Sequence, residues 1–113
     1  MIVRIWRTAI EPNREAEYRE FEQQQSLPMF RQQTGFLGVL FLRSNTSAAA
    51  LTLWESEEDV ERLARSPTYL ATVERLERTR LLRGDQTVEA FEVAGAYIDP
   101  LLESGVLLAE LHQ

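Results

Sequence analysis

The sequence predicts an α+β fold of the ferredoxin-like, split βαβ type: a four-stranded antiparallel sheet with helices on one face. Three observations carry this. Residues 34–56 hold two apolar runs around a polar break, Ser44-Asn45-Thr46-Ser47, which reads as two adjacent antiparallel strands. The remaining segments give the order β-α-β-β-α-α-β plus a tail. The strands carry apolar side chains on both sides, so helices on one face leave the other in need of a cover. A second copy of the chain, packed sheet against sheet, is the expected cover.

At 113 residues with 44% hydrophobic content, the chain has enough material for one packed domain. That domain is expected over residues 1–95, with residues 96–113 as a C-terminal extension packing on the domain or on the dimer partner. Residues 2–10 are rich in β-branched and aromatic types and read as the first strand. Ile2, Trp6 and Ile10 share one side with Arg4 and Thr8; Val3, Ile5 and Ala9 share the other with Arg7. Arg7 is expected to face the helices and Trp6 the dimer partner. After the turn at Glu11-Pro12-Asn13, Asn13 is a candidate cap for a helix over about residues 14–26. Tyr18, Phe21 and Gln25 form its stripe. Pro28 should break or bend it, with Met29, Phe30 and Arg31 in a short further turn.

Thr34-Gly35 leads into the second strand, where Phe36, Leu40 and Leu42 are assigned to one side and Leu37, Val39 and Phe41 to the other. The third strand runs through Leu51-Thr52-Leu53-Trp54. Ser56-Glu57-Glu58-Asp59 is a capping box and acidic first turn. Its helix buries Val60, Leu63 and Ala64. Ser66-Pro67 restarts a helix with proline at the first position, and Tyr69, Val73 and Leu76, with Leu70 alongside, form its apolar face. Arg83-Gly84-Asp85 reads as a helix stop and turn, and residues 86–93 as the fourth strand. Asp99-Pro100 suggests a further helix start, and the apolar residues of 106–111 suggest a docked end.

Composition removes whole classes of chemistry. A net charge of −6 disfavours nucleic acid. All twelve basic residues are arginine, which excludes Schiff-base and pyridoxal-phosphate chemistry on a lysine. Cysteine is absent, which removes thiol nucleophiles, disulfides and thiolate metal sites. A reducing cytoplasm is the expected compartment, with no signal peptide and no membrane span. RNA-recognition modules share the strand order, but the third strand lacks their basic-glycine-aromatic pattern. The single histidine, His112, is read as an end group, and no metal site is expected.

The residues with chemical potential are few. Arg7, among apolar neighbours, can hold an anionic or enolate oxygen; an ion pair to Glu17 or Glu22 is the plainer role. Trp54 can stack on a flat substrate or fill the core. Tyr18 and Tyr69 can donate phenolic hydrogen bonds, although their helical spacing also suits packing.

Several stretches resemble the antibiotic biosynthesis monooxygenase family. They are Ile2-Val3-Arg4-Ile5-Trp6-Arg7, Glu17-Tyr18, Leu27-Pro28 ahead of Gly35-Phe36-Leu37-Gly38, and Leu51-Thr52-Leu53-Trp54-Glu55-Ser56. The resemblance implies a dimeric α/β barrel with a pocket between sheet and helices on each subunit. It also implies, for some members, oxidation of aromatic polyketides without metal or flavin. That makes a cofactor-independent monooxygenase of a small aromatic or enolisable substrate the first expectation, with Arg7, Tyr18, Trp54 and Tyr69 contacting the substrate. A non-catalytic dimeric small-molecule-binding or stress-response module is the alternative. The haem-degrading branch would need Asn, Trp and His where this chain has Arg7, Leu63 and Val73, so haem degradation is not carried over.

Overall fold

A computed structural model describes residues 1–99. Strand β1 (Ile2–Ile10) is followed by a 3-10 turn (Pro12–Arg14) and helix α1 (Glu15–Phe21). A π-helical turn (Glu22–Ser26) joins α1 to α2 (Leu27–Arg31). Strands β2 (Phe36–Arg43) and β3 (Ser47–Trp54), helices α3 (Glu57–Arg65) and α4 (Pro67–Arg78), and strand β4 (Leu82–Glu92) complete the described chain. The strands lie in the order β2-β3-β1-β4, every neighbouring pair antiparallel. The predicted sheet with helices on one face is the architecture found. The expectations for Pro100, residues 106–111 and His112 lie outside the described residues.

Antiparallel partners point to the same face, so the register settles which side chains share a side. Ile2, Arg4, Trp6 and Thr8 pair with Trp54, Thr52, Ala50 and Ala48. Trp6, Ala48, Ala50, Thr52 and Trp54 are all buried, which puts this set beneath the helices. Val3, Ile5, Arg7 and Ala9 therefore point to the open face. The expected sides of Arg7 and Trp6 are thus reversed. Both sides of β1 carry apolar residues, so hydrophobic pattern alone left its orientation undetermined, and reversing it moves every side chain to the other face.

A bulge corrects β2 in the same way. Phe36 pairs with Trp54 but Gly38 with Leu53, leaving Leu37 as the extra residue. Phe36, Val39 and Phe41 then share the helix side, while Leu40 and Leu42 join the open face. In β4 a second irregularity lies opposite Thr8. Gly84, at φ +72°, sits in it, so Arg83-Gly84-Asp85 belongs to the strand rather than to a helix stop. The helix ends earlier, at Arg78, and Arg80 takes the left-handed conformation there at φ +60°.

The helical layer departs from expectation at its first half. Asn13 lies within the 3-10 turn, and no side chain caps α1. Pro28 does not break the chain of helical turns: a π turn just before it relaxes the hydrogen-bond ladder that proline cannot join, and the short further turn expected over Met29 to Arg31 forms as α2. Gln25 is exposed, and the buried stripe is Tyr18, Glu22, Met29 and Phe30. In the second half the capping box forms as predicted. The Ser56 Oγ accepts from the Asp59 backbone N–H at 3.4 Å and donates to Asp59 Oδ2 at 2.9 Å. The Ser56 hydroxyl, and then Arg62, hold the Asp59 carboxyl below its usual range. Leu63 is buried, but Ala64 and Leu70 are exposed, with Asp59 and Thr72 in the interior instead.

The core divides into two clusters. One gathers Trp6, Ile10, Tyr18, Ala48, Ala50, Leu76 and Leu81. The other gathers Met29, Phe30, Trp54 and Leu63, with Phe36, Val60 and Tyr69 against it. Phe41 touches both.

Candidate functional site

A cavity opens between the two clusters. Trp6 and Ala50 form its sheet side, with Phe41 from β2. Tyr18, Glu22, Ser26, Met29 and Phe30 reach it from the first helical segment; Tyr69, Thr72, Val73 and Leu76 reach it from α4. Its free space is about 40 Å³, room for one or two waters. An aromatic molecule is larger than this space and would enter only by displacing wall side chains; Ser26, Phe41, Tyr69 and Val73 are the half-buried ones among them.

The site's elements explain its lining. The Ser66 Oγ accepts from the Tyr69 N–H at 3.4 Å, which sets the start of α4 and aims Tyr69 at the sheet. The π turn advances the helix phase, so that Glu22 and Ser26 face the cavity while Met29 and Phe30 close its far side.

One charged side chain, Glu22, lines this apolar site, and two arginines, Arg43 and Arg4, bond to residues of its wall. Glu22 is buried, and Arg43 grips its carboxylate with two guanidinium nitrogens, Nη1 at 2.9 Å from Oε2 and Nη2 on Oε1. Arg43 also lies 4.7 Å from the Tyr18 ring centroid, a cation–π distance. Burial raises the Glu22 carboxyl above its usual range, with Arg43 opposing. Burial, aided by the Glu22 charge and opposed by Arg43, pushes the Tyr18 hydroxyl well above its ordinary range. Tyr18 is thus a neutral hydrogen-bonding group at physiological pH. Arg4, only 5% exposed, has no carboxylate partner among the described residues. Its Nη2 donates to the Tyr69 hydroxyl at 2.8 Å, and its guanidinium lies 5.2 Å from that ring's centroid. Its Nη1 is buried with no partner.

Of the four expected substrate contacts, the structure brings Tyr18 and Tyr69 to the cavity. Arg7 lies on the other face, exposed, and pairs with Glu89 rather than with Glu17 or Glu22. It lines a separate shallow groove of about 150 Å³ with Leu42, Arg43, Ser47 and Ala49. Trp54 is fully buried, edge-on to Phe30 and Phe36, and donates to the Thr52 hydroxyl at 2.7 Å. It does not line the cavity. Sequence reasoning missed Arg4, Trp6 and Glu22. The spacing held a signal for Glu22, one helical turn after Tyr18; nothing in β1 alone separated Arg4 from Arg7. Among the described residues no three His, Cys, Asp or Glu side chains gather as a metal site, and no helix is long and apolar enough to cross a membrane.

Solved structures with this architecture include a monooxygenase from the gene ActVA-Orf6 of Streptomyces coelicolor, in complex with nanaomycin D. It is 20% identical, with a TM-score of 0.74 over 87% of this chain and 91% of that one. The cofactor-independent oxygenase SnoaB from Streptomyces nogalater is 17% identical, with a TM-score of 0.68 over 87% and 97%. A candidate antibiotic biosynthesis monooxygenase from Deinococcus radiodurans is 15% identical, with a TM-score of 0.69 over 88% and 98%. The chain has the fold of the antibiotic biosynthesis monooxygenases. The family resemblance drawn from the sequence therefore holds at the level of architecture. No family model matches the chain, and no curated protein does. At these identities the monooxygenase likeness is one of backbone, and activity is a separate question.

Proposed function

We infer that the protein is a cofactor-independent monooxygenase of a small aromatic or enolisable molecule, working in the cytoplasm as a homodimer. The observation that carries this reading is the cavity itself: an aromatic-walled space between sheet and helices, with Tyr18, Glu22, Ser26, Tyr69 and Thr72 as its polar side chains. A flat ring held between Trp6, Tyr18, Phe30 and Tyr69 is removed from water, which favours chemistry on an organic anion once it forms. Proton loss from an activated CH₂ gives that anion. Addition of dioxygen and return of the proton give a hydroperoxide, and loss of water leaves a ketone. Substrate and dioxygen supply every atom and electron. The Tyr18 and Tyr69 hydroxyls are the groups available to stabilise the enolate oxygen. The open sheet face, with Val3, Ile5, Leu40, Leu51, Leu53 and Phe91, supports a second copy as its cover, and residues 96–113 are assigned to an extension over the domain or that partner.

Oxygen consumption with a panel of polyphenols tests the reading. Uptake with at least one, reduced about tenfold or more in Tyr69→Phe, is expected; no uptake with any would contradict it. One observation favours the second reading, a non-catalytic small-molecule or stress-response module: the cavity's one carboxylate, Glu22, is already held on both oxygens by Arg43 and so is poorly free to act as a base. A ligand retained through purification without turnover would decide for it.

A further inference from the structure

Arg4 has no carboxylate among the described residues to match its charge. It is buried, and a desolvated guanidinium without an anion is costly. Arg31, Arg65, Arg75 and Arg80, which also lack a carboxylate partner among the described residues, are exposed and keep water on their guanidinium groups. Arg43, whose guanidinium is partly buried, has Glu22. The tyrosine ring beneath Arg4 and one hydroxyl acceptor offset part of the cost, and Nη1 remains without any acceptor. Tyr69 is common to both places: its ring lines the cavity, and its oxygen accepts from Arg4. Because that oxygen accepts from a cation, its own O–H is polarised as a donor. Arg4 does not itself line the cavity; Tyr69 is the residue between them, so only displacement of Tyr69 would expose Arg4 to a ligand there.

We propose that Arg4 and Tyr69 form an anion-binding site, and that the ligand of this cavity is an aromatic molecule bearing a carboxylate or another ionised oxygen. The flat body packs on the aromatic walls; the charged oxygen takes the Tyr69 O–H and the orphan Arg4 Nη1. This rests on the small-molecule reading above and narrows it to an anionic class. The arrangement also accounts for a tyrosine at the start of α4, where a leucine would pack as well but could neither bridge nor donate.

Calorimetric titration of the full chain with benzoate and with benzamide, equal in shape and different in charge, tests it. Wild type should bind benzoate at least about tenfold tighter than benzamide, the ratio expected of a charge-assisted hydrogen bond. Arg4→Met should remove that preference by weakening benzoate alone. Should Arg4→Met not fold, arginine side-chain NMR of wild type decides: benzoate, and not benzamide, should move the Arg4 Nη signals. Equal affinities in wild type, a preference that survives in Arg4→Met, or movement confined to Arg43 would overturn the anion site and leave the small-molecule reading standing. Failure of both probes to bind wild type would overturn both.

Discussion

The two faces of the sheet are built from the same strands and live by different rules. Beneath the helices, polar groups are interleaved with aromatics and are tied together: Trp54 donates to Thr52, Thr52 donates to the Arg4 carbonyl at 3.3 Å, and Arg4 donates to Tyr69. On the open face, aliphatic residues and Phe91 surround exposed ion pairs, Arg7 with Glu89 and, toward the strand ends, Arg83 with Glu11. The first face is a finished interior with a polar seam and a cavity. Among the described residues the second has no seam, no cap and no helix. A polar group is expensive where water is excluded and nearly free where it is not, so one substitution type should read very differently on the two sides.

The largest effect is expected at Trp54→Ala, which empties the fully buried center of the second cluster; a loss of about 3–5 kcal/mol in urea denaturation is predicted. Arg43→Ala should follow at about 3 kcal/mol, because it strands the buried Glu22 carboxylate. Glu22 also predicts a pH signature. Its folded-state pKa is raised, so its contribution to stability is fully present below the unfolded carboxylate value and is lost as pH rises through the folded value. Denaturation midpoints of wild type relative to Glu22→Gln should therefore fall as pH increases across that window. A rising difference would mean that the ion pair, rather than burial, governs the carboxyl.

Gly35→Ala should cost roughly 1–3 kcal/mol from backbone strain at φ +81° alone. A Cβ there also overlaps the Asp59 carboxyl, so the loss should grow unless α3 shifts. Ser56→Ala should cost about 1 kcal/mol by removing the cap of α3. The smallest effect belongs to the open face: Arg7→Ala breaks an exposed pair and should change stability by less than about 1 kcal/mol. A larger loss at Arg7 than at Arg43 would erase the contrast between the faces.

The contrast also marks what could be read from the sequence. Element order, the polar turn at residues 44–47, the Ser56 capping box, the helix restart at Pro67 and the two-sided apolar pattern were legible because each is local. The side each residue of β1 faces was not. Val3 and Ile5 are as apolar as Ile2 and Trp6, and Arg4 and Arg7 differ by an odd step, so only pairing with β3 could orient the strand. The same limit hid the site: Arg7 was read into the pocket that Arg4 adjoins. Leu37 and Gly84 show the other limit, since a bulge adds a residue that no periodicity announces. The π turn at residues 22–26 likewise rescues Pro28 through a helix-ladder change invisible to a helical stripe.

The central claim is that, within the described residues, one face is complete in a single chain and the other is not. Sedimentation velocity of wild type and of Leu51→Arg, each at micromolar concentration, tests it most directly. Wild type should sediment at twice the chain mass, and the arginine on the open face should yield a folded single chain. A wild-type chain that stays single and soluble across the concentration range would contradict the account.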